Sequence, residues 1–416
     1  MNILLSAYAC EPNKGSEPGV GWSLAIEMSK HHNVWVITRD NNKSAIEDYI
    51  NDDNNKYINS NLKFIYVGLP KNLTFWKKGR RGMRLFYMLW QKKAVKVAKE
   101  YHKEIKFDLV QHVTFVSYTQ PTYMYKLGIP MIWGPVSGGE NIPSCISIKM
   151  SKKEKIVEYI RKLSQNFVLT MPCIVNTMKR SCNILVTTEE TKNKIPKKYQ
   201  SKTNIVPAIG LEKIHNMKYQ KKEDNKVRII MAGRLIYWKA FDIGIKAFLR
   251  IVDKYPNIEL HILGEGDKKQ ELKTLSGKYL NDKIFFEEPV EHDKIYDFYK
   301  DFDIFLNTTL RDSGCMAMME AMSVGLPCIC IDTGGPKILS ENMEFSKVKV
   351  DVNDNVIMEI ALKLERLITD KSFRENLSKL SIEQSGKFVL NEKIKLLNEI
   401  YYNANAEREN ILCKVE

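Results

Sequence analysis

Short apolar segments alternate with helical patterns along almost the whole chain, and this alternation most restricts the fold. The first set of apolar segments comprises 2–8, 33–39, 62–68, 109–113, 130–135 and 183–188, and the second comprises 227–233, 258–264, 283–288, 303–308, 327–332 and 346–350. Nearly continuous apolar strands separated by helices are typical of parallel sheets covered on both faces. Two such sets in 416 residues predict an α/β fold of two doubly wound, Rossmann-like domains.

The segment between the two sets begins with Pro and Gly and ends in a charged polar run, VPAIGLEKIHNMKYQKKEDNK. That composition is typical of a linker. We therefore predict a first domain at 1–206, a linker at 207–226 and a second domain at 227–385. The remaining residues, 386–416, carry one more amphipathic helical pattern, and we expect this helix to cross back to the first domain.

The chain has a formal net charge of +14, which indicates an anionic partner: nucleic acid, an acidic membrane surface or a phosphorylated ligand. Its eight Cys are scattered, without a C-x-x-C pair, which disfavours a zinc ribbon and favours a reduced cytosolic compartment. The N-terminus, MNILLSAYAC, is typical of a first strand and not of a signal peptide. No apolar run approaches the roughly 20 residues that cross a bilayer. We expect a cytoplasmic protein.

Two cations and a glycine follow the first strand of the second domain, at Gly233, Arg234 and Lys239. Ligands of doubly wound sheets bind at the carboxyl ends of the strands. An Arg guanidinium can bind a phosphate through two N–H groups, and a Lys adds a point charge. The pattern indicates an anion site, and the alternative is a pair of solvated loop cations.

A second cluster occupies 308–336, where a predicted strand leads into a short helix. Backbone N–H groups of the turn at 314–316 could bind phosphate oxygens. Glu320 lies inside the helix amid Met and Ala, where a carboxylate needs a partner such as the ribose hydroxyls; the alternative is a Glu on the helix surface. Asp312 precedes the helix, and its alternative role is an N-cap.

Together, GRLIYWKA (233–240), Asp312 spaced by seven residues from Glu320, EAMSVGLP (320–327) and DTGGP (332–336) resemble the retaining glycosyltransferases of family 4. That family has the GT-B fold, with two domains facing a central cleft. Its usual motif is Glu-x7-Glu, and here Asp312 replaces the first Glu. DSG stands where EGFG is typical, and Ala240 stands where the pattern often has Gly. The resemblance covers most of the chain and is looser in the first domain.

The resemblance implies a nucleotide-sugar donor, UDP- or GDP-linked, bound mainly by the second domain. Arg234 and Lys239 would face the departing diphosphate, Glu320 would bind the ribose, and Asp312 the donor sugar. The expected donor contacts of the second domain are Gly233, Arg234, Lys239, Asp312, Gly314, Cys315, Met316 and Glu320. In the family, preorganised groups of this kind stabilise the leaving diphosphate.

The resemblance also implies contacts from two Gly-rich loops and one His of the first domain. His112 lies where the family carries a sugar-contacting His, although a lone His is more often structural. The loop in ACEPNKGSEPGVGW (9–22) would contact phosphate or sugar, and its alternative is a plain strand-to-helix loop. The second loop, in IWGPVSGGEN (132–141), would face the acceptor or the donor sugar. The expected residues are Gly15, Glu17, Gly19, Gly21, Gly138, Gly139, Glu140 and Asn141.

The implied reaction is sugar transfer, with retained anomeric configuration, to a hydroxyl of a glycan or lipid-linked saccharide. The family implies no cofactor and no essential metal, and we interpret DFD at 301–303 as a helix end and a strand start. Bacterial surface polysaccharide synthesis (lipopolysaccharide or capsule) is the expected setting. An alternative is a nucleotide-sugar epimerase of the same fold. A nucleic-acid-binding protein ranks last, because it leaves Asp312, Glu320 and the Gly-rich strand ends unexplained.

One further segment, 71–100, is dense in Lys and Arg interleaved with Phe, Trp, Tyr, Met and Leu. Basic aromatic helices of this kind can lie on anionic membranes, which would suit a peripheral protein on the inner face of the plasma membrane. RNA-binding surfaces can look similar. The remaining alternative is an ordinary amphipathic helix with a solvated basic face.

Overall fold

The computed structural model describes residues 1–52, 60–70, 82–147, 150–215, 225–350 and 355–412. They form two compact units. The first comprises Met1–Gly139, Tyr159–Gly210 and Leu390–Glu416, and the second comprises Glu140–Glu158 and Leu211–Val389. The predicted domain bounds stay a prediction; among the described residues, Glu140–Glu158 groups with the second unit although it lies within 1–206. Distant contacts decide this grouping, and they leave no local signal in the sequence.

The first unit is built on a parallel sheet of seven strands among the described residues, in the order β3-β2-β1-β4-β5-β6-β7. The strands are Asn2–Ser6 (β1), Asn33–Arg39 (β2), Leu62–Val67 (β3), Leu109–His112 (β4), Met131–Val136 (β5), Asn183–Val186 (β6) and Thr203–Ile205 (β7). The strand order changes direction between β1 and β4, where Ser6 pairs with His112. Ligands of doubly wound sheets bind at such a switch point, so the register places His112 where a ligand would be expected.

The second unit repeats this architecture with six described strands, in the order β10-β9-β8-β11-β12-β13. They are Val227–Ala232 (β8), Ile258–Leu263 (β9), Ile284–Glu287 (β10), Ile304–Asn307 (β11), Cys328–Ile331 (β12) and Lys347–Val348 (β13). All their pairings are parallel. The switch point lies between β8 and β11, the strands that precede the two predicted clusters. The predicted fold class of two doubly wound α/β domains is confirmed.

Helices cover the sheets and follow the strands in chain order. They are Ser16–Ser29 (α1), Lys43–Ile50 (α2), Met83–Ile105 (α3), Ser144–Ser147 (α4), Lys152–Val168 (α5), Pro172–Arg180 (α6), Glu189–Lys192 (α7), Phe241–Leu249 (α8), Lys269–Ser276 (α9), Ile295–Tyr299 (α10), Met316–Ser323 (α11), Gly334–Leu339 (α12), Val356–Thr369 (α13), Lys371–Gly386 (α14) and Leu390–Leu412 (α15). The short turn between β8 and α8, and that between β11 and α11, bring the predicted donor residues to one edge of the second sheet.

The last helix, α15, completes the core of the first unit. Its side chains Ile394, Leu397 and Tyr401 pack in one cluster with β1 and α1. The Tyr401 hydroxyl also bonds with the side chain of Gln111 on β4. Burial of this kind stabilises the fold by about 1.5–3 kcal/mol per large apolar side chain. The first unit thus depends on residues from both ends of the chain.

The basic segment 71–100 lies partly outside the described residues, which begin again at 82. Its described part forms the first turns of α3. Tyr87 and Trp90 point into the core of the first unit, and the Trp90 indole N–H donates to the Val67 carbonyl at 2.7 Å. These two rings are therefore not available to a membrane. In the part of the chain that the structure describes, no helix is long and apolar enough to cross a bilayer.

Candidate functional site

Lys239 and Asp312 form the centre of the candidate site in the second unit. Lys239 follows β8 and Asp312 follows β11, and the Lys239 ammonium is ion-paired with the Asp312 Oδ2. The residues that follow β11 also bond to the turn before α8: the Thr308 hydroxyl donates to the Ala240 carbonyl at 2.8 Å. The Leu310 amide donates to the Trp238 carbonyl at 2.9 Å. The two predicted clusters therefore belong to one site.

Both charges of this pair are largely buried, and each stabilises the other. Burial alone would lower the pKa of Lys239, but the Asp312 carboxylate and the Cys315 sulfur outweigh it, so that the pKa lies above its ordinary value. Burial alone would raise the pKa of Asp312, but the Lys239 charge and the backbone N–H groups of Gly314 and Cys315 hold it below its ordinary value. The site therefore contains a fixed ammonium and a fixed carboxylate.

The turn that leads into α11 uses two of its backbone N–H groups within the protein. Gly314 and Cys315 donate to the Asp312 Oδ1 at 3.2 and 3.3 Å. Asp312 thus satisfies two amides of the turn before α11, but the N-cap of that helix is Cys315, so the N-cap alternative for Asp312 is wrong. The Asp312 carbonyl accepts from the Gly335 amide at 2.8 Å. This contact joins the DTGGP stretch to the same turn, and Met316 begins the helix behind it.

Arg234 and Glu320 complete the predicted donor residues in the second unit. Arg234 is exposed, and its charge is close enough to Lys239 to oppose the rise in the pKa of that lysine. Glu320 lies inside α11 and is 4% exposed. Its carboxylate adds to burial in raising the pKa of Tyr296 and Tyr299. A helix-surface position for Glu320 is therefore wrong.

Three residues beside the site have left-handed backbone conformations. Gly233 has φ 147°, Ala240 has φ 48° and Cys315 has φ 49°. Only Gly adopts such conformations without a steric cost from Cβ. Ala240 and the DSGC stretch are the places where this chain departs from the Gly-containing family pattern. The turns at Ala240 and Cys315 keep a conformation that favours Gly, although the residues carry side chains.

A buried polar network lies beside the site, and the sequence did not predict it. Glu158 of α5 accepts from the Tyr237 hydroxyl at 2.6 Å and from the Arg311 guanidinium at 2.5 Å. The Arg311 guanidinium also lies over the Trp238 ring, 4.7 Å from its centroid. Burial and the Glu158 carboxylate raise the pKa of Tyr237 to about 12. Tyr237 and Arg311 are sequence neighbours of Lys239 and Asp312. Glu158 lies 153 positions from Arg311, so no local sequence pattern predicts its part in the network.

His112 and Glu17 lie at the switch point of the first unit. His112 ends β4 and is 1% exposed, and neither ring nitrogen has a hydrogen-bond partner among the described residues. Burial lowers the pKa of His112 to about 4, and the nearby Phe115 backbone opposes this only in part. The Glu17 carboxylate accepts from the Val116 amide at 2.7 Å. Burial raises the pKa of Glu17, while the Val116 and Phe115 backbone lowers it by less.

Two glycines predicted in the first Gly-rich loop lie elsewhere. Helix α1 begins at Ser16, so Gly15 precedes it, whereas Gly19 and Gly21 lie inside it. A Cβ on Gly19 would lie 2.0 Å from the Lys14 carbonyl oxygen, and one on Gly21 would lie 2.4 Å from that of Ala9. Both glycines therefore permit close packing of the helix on the preceding chain. The predicted loop position of Gly19 and Gly21 is wrong, because the helix starts earlier than its apolar pattern.

The second Gly-rich loop divides between the two units at Gly139 and Glu140. Gly138 has φ 102°, and a Cβ on Gly139 would lie 2.4 Å from Thr191 Cα. Glu140 is 4% exposed, with its side chain against the Gly334 backbone of the second unit. Asn141 follows it and is half-buried. Sugar contacts by these four residues stay a prediction.

The described residues contain no group of three or more His, Cys, Asp or Glu side chains placed to hold a metal ion. In the DFD stretch, the Asp303 carboxylate accepts from the Arg228 amide at 2.8 Å. Asp303 therefore joins the start of β11 to β8. The seven described Cys are free thiols.

Residues 212–384 match the protein family described as Glycosyl transferases group 1. The Schizosaccharomyces pombe protein named Phosphatidylinositol N-acetylglucosaminyltransferase gpi3 subunit is 29% identical over 156 residues, which cover 36% of this chain and 34% of that protein. Protein CapJ of Staphylococcus aureus is 25% identical over 240 residues, which cover 53% of this chain and 58% of that protein. The chain thus spans between about a third and three fifths of the length of these two relatives. The family match agrees with the resemblance at the level of group 1 glycosyltransferases, and family 4 stays a prediction.

Solved glycosyltransferase structures share the fold over nearly the whole chain. The lipopolysaccharide outer core galactosyltransferase WaaB, in its apo form, has a TM-score of 0.59 at 15% identity, covering 98% of this chain and 100% of that one. Anabaena HepE in complex with UDP has a TM-score of 0.61 at 12% identity, covering 97% of this chain and 99% of that one. Identity at this level establishes fold alone, and the predicted GT-B class is confirmed.

Proposed function

We propose that this protein is a retaining glycosyltransferase that moves a sugar from a nucleotide-diphosphate sugar to a hydroxyl of a glycan or lipid-linked saccharide. The observation that carries the proposal is the Lys239–Asp312 pair at the switch point of the second unit. Exposed Arg234 and buried Glu320 accompany it. The group 1 match covers the same residues.

In the proposed reaction, the bond between the anomeric carbon and the diphosphate oxygen breaks, and its electron pair stays with the diphosphate. The acceptor oxygen bonds to the anomeric carbon, and its proton passes to the released diphosphate or to water. Arg234 and Lys239 stabilise the charge that grows on the leaving group. Asp312 keeps the Lys239 ammonium charged and in place, and contacts the donor sugar. His112 orients the sugar as a neutral imidazole, since its pKa is about 4.

UDP or GDP is the proposed nucleotide, with Glu320 on the ribose. UDP is favoured because HepE, which shares the fold, binds it. Synthesis of a bacterial surface polysaccharide is the proposed setting, supported by the fold shared with the lipopolysaccharide galactosyltransferase WaaB. We further propose a cytoplasmic reaction without an essential metal or bound cofactor. A chelator that abolishes transfer, with recovery on adding a divalent cation, would contradict the metal-free mechanism.

Peripheral attachment to the inner face of the plasma membrane is also proposed. In the described part of segment 71–100, Tyr87 and Trp90 are buried, and the exposed side chains include Arg84, Leu85 and several lysines of α3. Charge reversal of Lys92, Lys96 and Lys99 should weaken binding to anionic vesicles, at about 1 kcal/mol per lysine. Unchanged vesicle binding would remove this part of α3 from the membrane contact.

The deciding experiment has two stages. A thermal-shift screen against UDP, GDP, ADP and their sugars identifies the donor, because a ligand that binds only the folded state stabilises it by mass action. Transfer is then measured with that donor and candidate acceptors, and NMR of the product reports its anomeric configuration. Analysis of the donor alone separates transfer from epimerisation. An inverted product would refute retention.

Arg234→Ala tests the site itself. The variant should transfer about 100-fold more slowly or worse, by analogy with the loss of a preorganised donor to a developing anion. Arg250→Ala is the matched control, because Arg250 is another exposed arginine of the second unit. Its transfer rate should match that of the unmodified protein. Equal rates in both variants would remove Arg234 from the mechanism.

A further inference from the structure

Helix α5 presents its apolar side chains to solvent. Ile156, Tyr159, Ile160, Leu163 and Phe167 are between 52% and 65% exposed. Their spacing of three or four residues places them on one side of the helix. We call these five side chains the apolar stripe. A helix on a globular protein normally buries such a stripe against the core, and contiguous exposed apolar surface marks an interaction site.

The opposite side of α5 is polar and faces the protein. Glu158 is 6% exposed and bonds to Tyr237 and Arg311. Glu154 is ion-paired with Lys268 at 2.9 Å. The Gln165 amide donates to the Gly138 carbonyl at 2.8 Å. These contacts fix the rotation of the helix, so that the stripe cannot turn inward without breaking them.

Four exposed lysines accompany the apolar stripe: Lys152, Lys153, Lys155 and Lys162. We call them the lysine rim. The only acidic residues of the helix are Glu154 and Glu158, and both are engaged on the inner side. The outer surface of α5 therefore combines large apolar side chains with positive charge alone. Long lysine side chains can lie along apolar surface while their ammonium groups reach a polar layer.

We propose that α5 docks on an anionic lipid bilayer. The apolar stripe would enter the boundary between headgroups and acyl chains, and the lysine rim would contact lipid phosphates. A second copy of this chain is a poorer occupant, because a symmetric contact would oppose the two lysine rims. The residues of the apolar stripe and of the lysine rim lie outside segment 71–100 in the sequence and are not among the predicted donor residues. The proposal does not depend on the proposed reaction.

The test is flotation of the full-length protein with vesicles of phosphatidylglycerol and, separately, of phosphatidylcholine. The protein should bind the anionic vesicles preferentially, and added salt should weaken the binding. The double variant Ile160→Asp with Leu163→Asp should bind at least about tenfold more weakly, because it puts two charges into the apolar stripe. Reversing Lys152 or Lys153 to Glu should weaken binding by about fivefold or more per site.

The matched control is Leu362→Asp with Leu380→Asp, which changes two leucines that are 52% and 43% exposed outside α5. Thermal melting should be alike for both double variants, so that a difference in vesicle binding reports the surface. Equal vesicle binding by the stripe variant and the unmodified protein would overturn the proposal, as would an unmodified protein that binds no vesicles. Self-association in sedimentation that only the stripe variant abolishes, without vesicle binding, would assign the surface to a second copy.

Discussion

Lys393 on α15 carries a buried amine whose removal should stabilise the first unit. The side chain is 7% exposed, and its ammonium donates to the Ala208 carbonyl at 2.6 Å. Burial lowers the pKa of Lys393 from 10.5 to about 7. At about 1.4 kcal/mol per pKa unit, this shift corresponds to a destabilisation of about 5 kcal/mol when the lysine is charged in both states. Lys393→Met removes that cost.

The stabilisation by Lys393→Met should depend on pH, because Lys393 binds its proton differently in the folded and unfolded states. The unfolded chain keeps the Lys393 proton up to about pH 10.5, whereas the folded chain loses it near pH 7. Between these values the unfolded state binds more protons, so the free energy of unfolding of the unmodified protein rises with pH. The full cost applies below about pH 7. Met does not titrate, so its advantage is largest at low pH and fades towards pH 10.

The substitution also leaves the Ala208 carbonyl without this donor, at a cost of about 1–2 kcal/mol. The net gain in the free energy of unfolding should therefore be about 3–4 kcal/mol near pH 6 and close to zero or negative near pH 10. Urea unfolding followed by Trp fluorescence measures it. The fluorescence signal mainly reports the first unit, because four of the described Trp residues lie there (Trp22, Trp35, Trp90 and Trp133) and one, Trp238, lies in the second.

Lys395→Met is the control for this experiment. Lys395 lies on the same helix, and its side chain is 69% exposed in a surface ion pair with Glu392. A surface pair of this kind contributes about 0–1 kcal/mol, so the control should shift stability little and show no such pH dependence. A gain for Lys393→Met that is absent at pH 6, or equal at both pH values, would refute the argument from burial.

Two further substitutions test the turns and the polar network of the second unit. Ala240→Gly should raise the free energy of unfolding by about 0.5–1 kcal/mol, because Ala240 has a left-handed conformation. The control, Ala247→Gly inside α8, should lower the free energy of unfolding by about 1 kcal/mol. Urea titration measures both changes. Glu158→Ala should cost about 3 kcal/mol by leaving the Arg311 charge unpaired. Glu158→Gln keeps an acceptor but removes the charge, so it should destabilise the protein nearly as much as Glu158→Ala; a Gln variant that melts like the unmodified protein would contradict a charge-based role.

The strands were predictable because each is an apolar run with its own boundaries. The segment PCICID predicted β12, and the structure places Cys328–Ile331 there. Strand β7, Thr203–Ile205, was missed because the sequence TNI has one apolar residue. It belongs to the sheet through its pairing with β6, which is a tertiary contact. Apolar periodicity therefore misses a strand as short and polar as β7, which only its pairing reveals.

The sequence predicted the site residues that lie close to a strand end in the same short segment. Lys239, which follows β8, is one of them. The pairing of Lys239 with Asp312 followed from topology, since both turns leave neighbouring strands. Glu158 was not predictable, because its contacts depend on how a distant helix packs. The helical positions of Gly19 and Gly21 were not predictable either. They depend on how closely α1 packs on the backbone oxygens of Lys14 and Ala9, which would exclude a Cβ.

The position of α15 in the core has a consequence for the order in which the chain can fold during synthesis. Domains usually fold in the order in which they leave the ribosome. Here the cluster around β1 and α1 lacks Leu390, Ile394 and Leu397 until the final helix has been translated. The second unit, whose last residue is Val389, is complete by then. The unit that begins first is thus the unit that finishes last, and a ribosome stalled before Leu390 would hold a nascent chain with apolar surface that only its own missing end can cover.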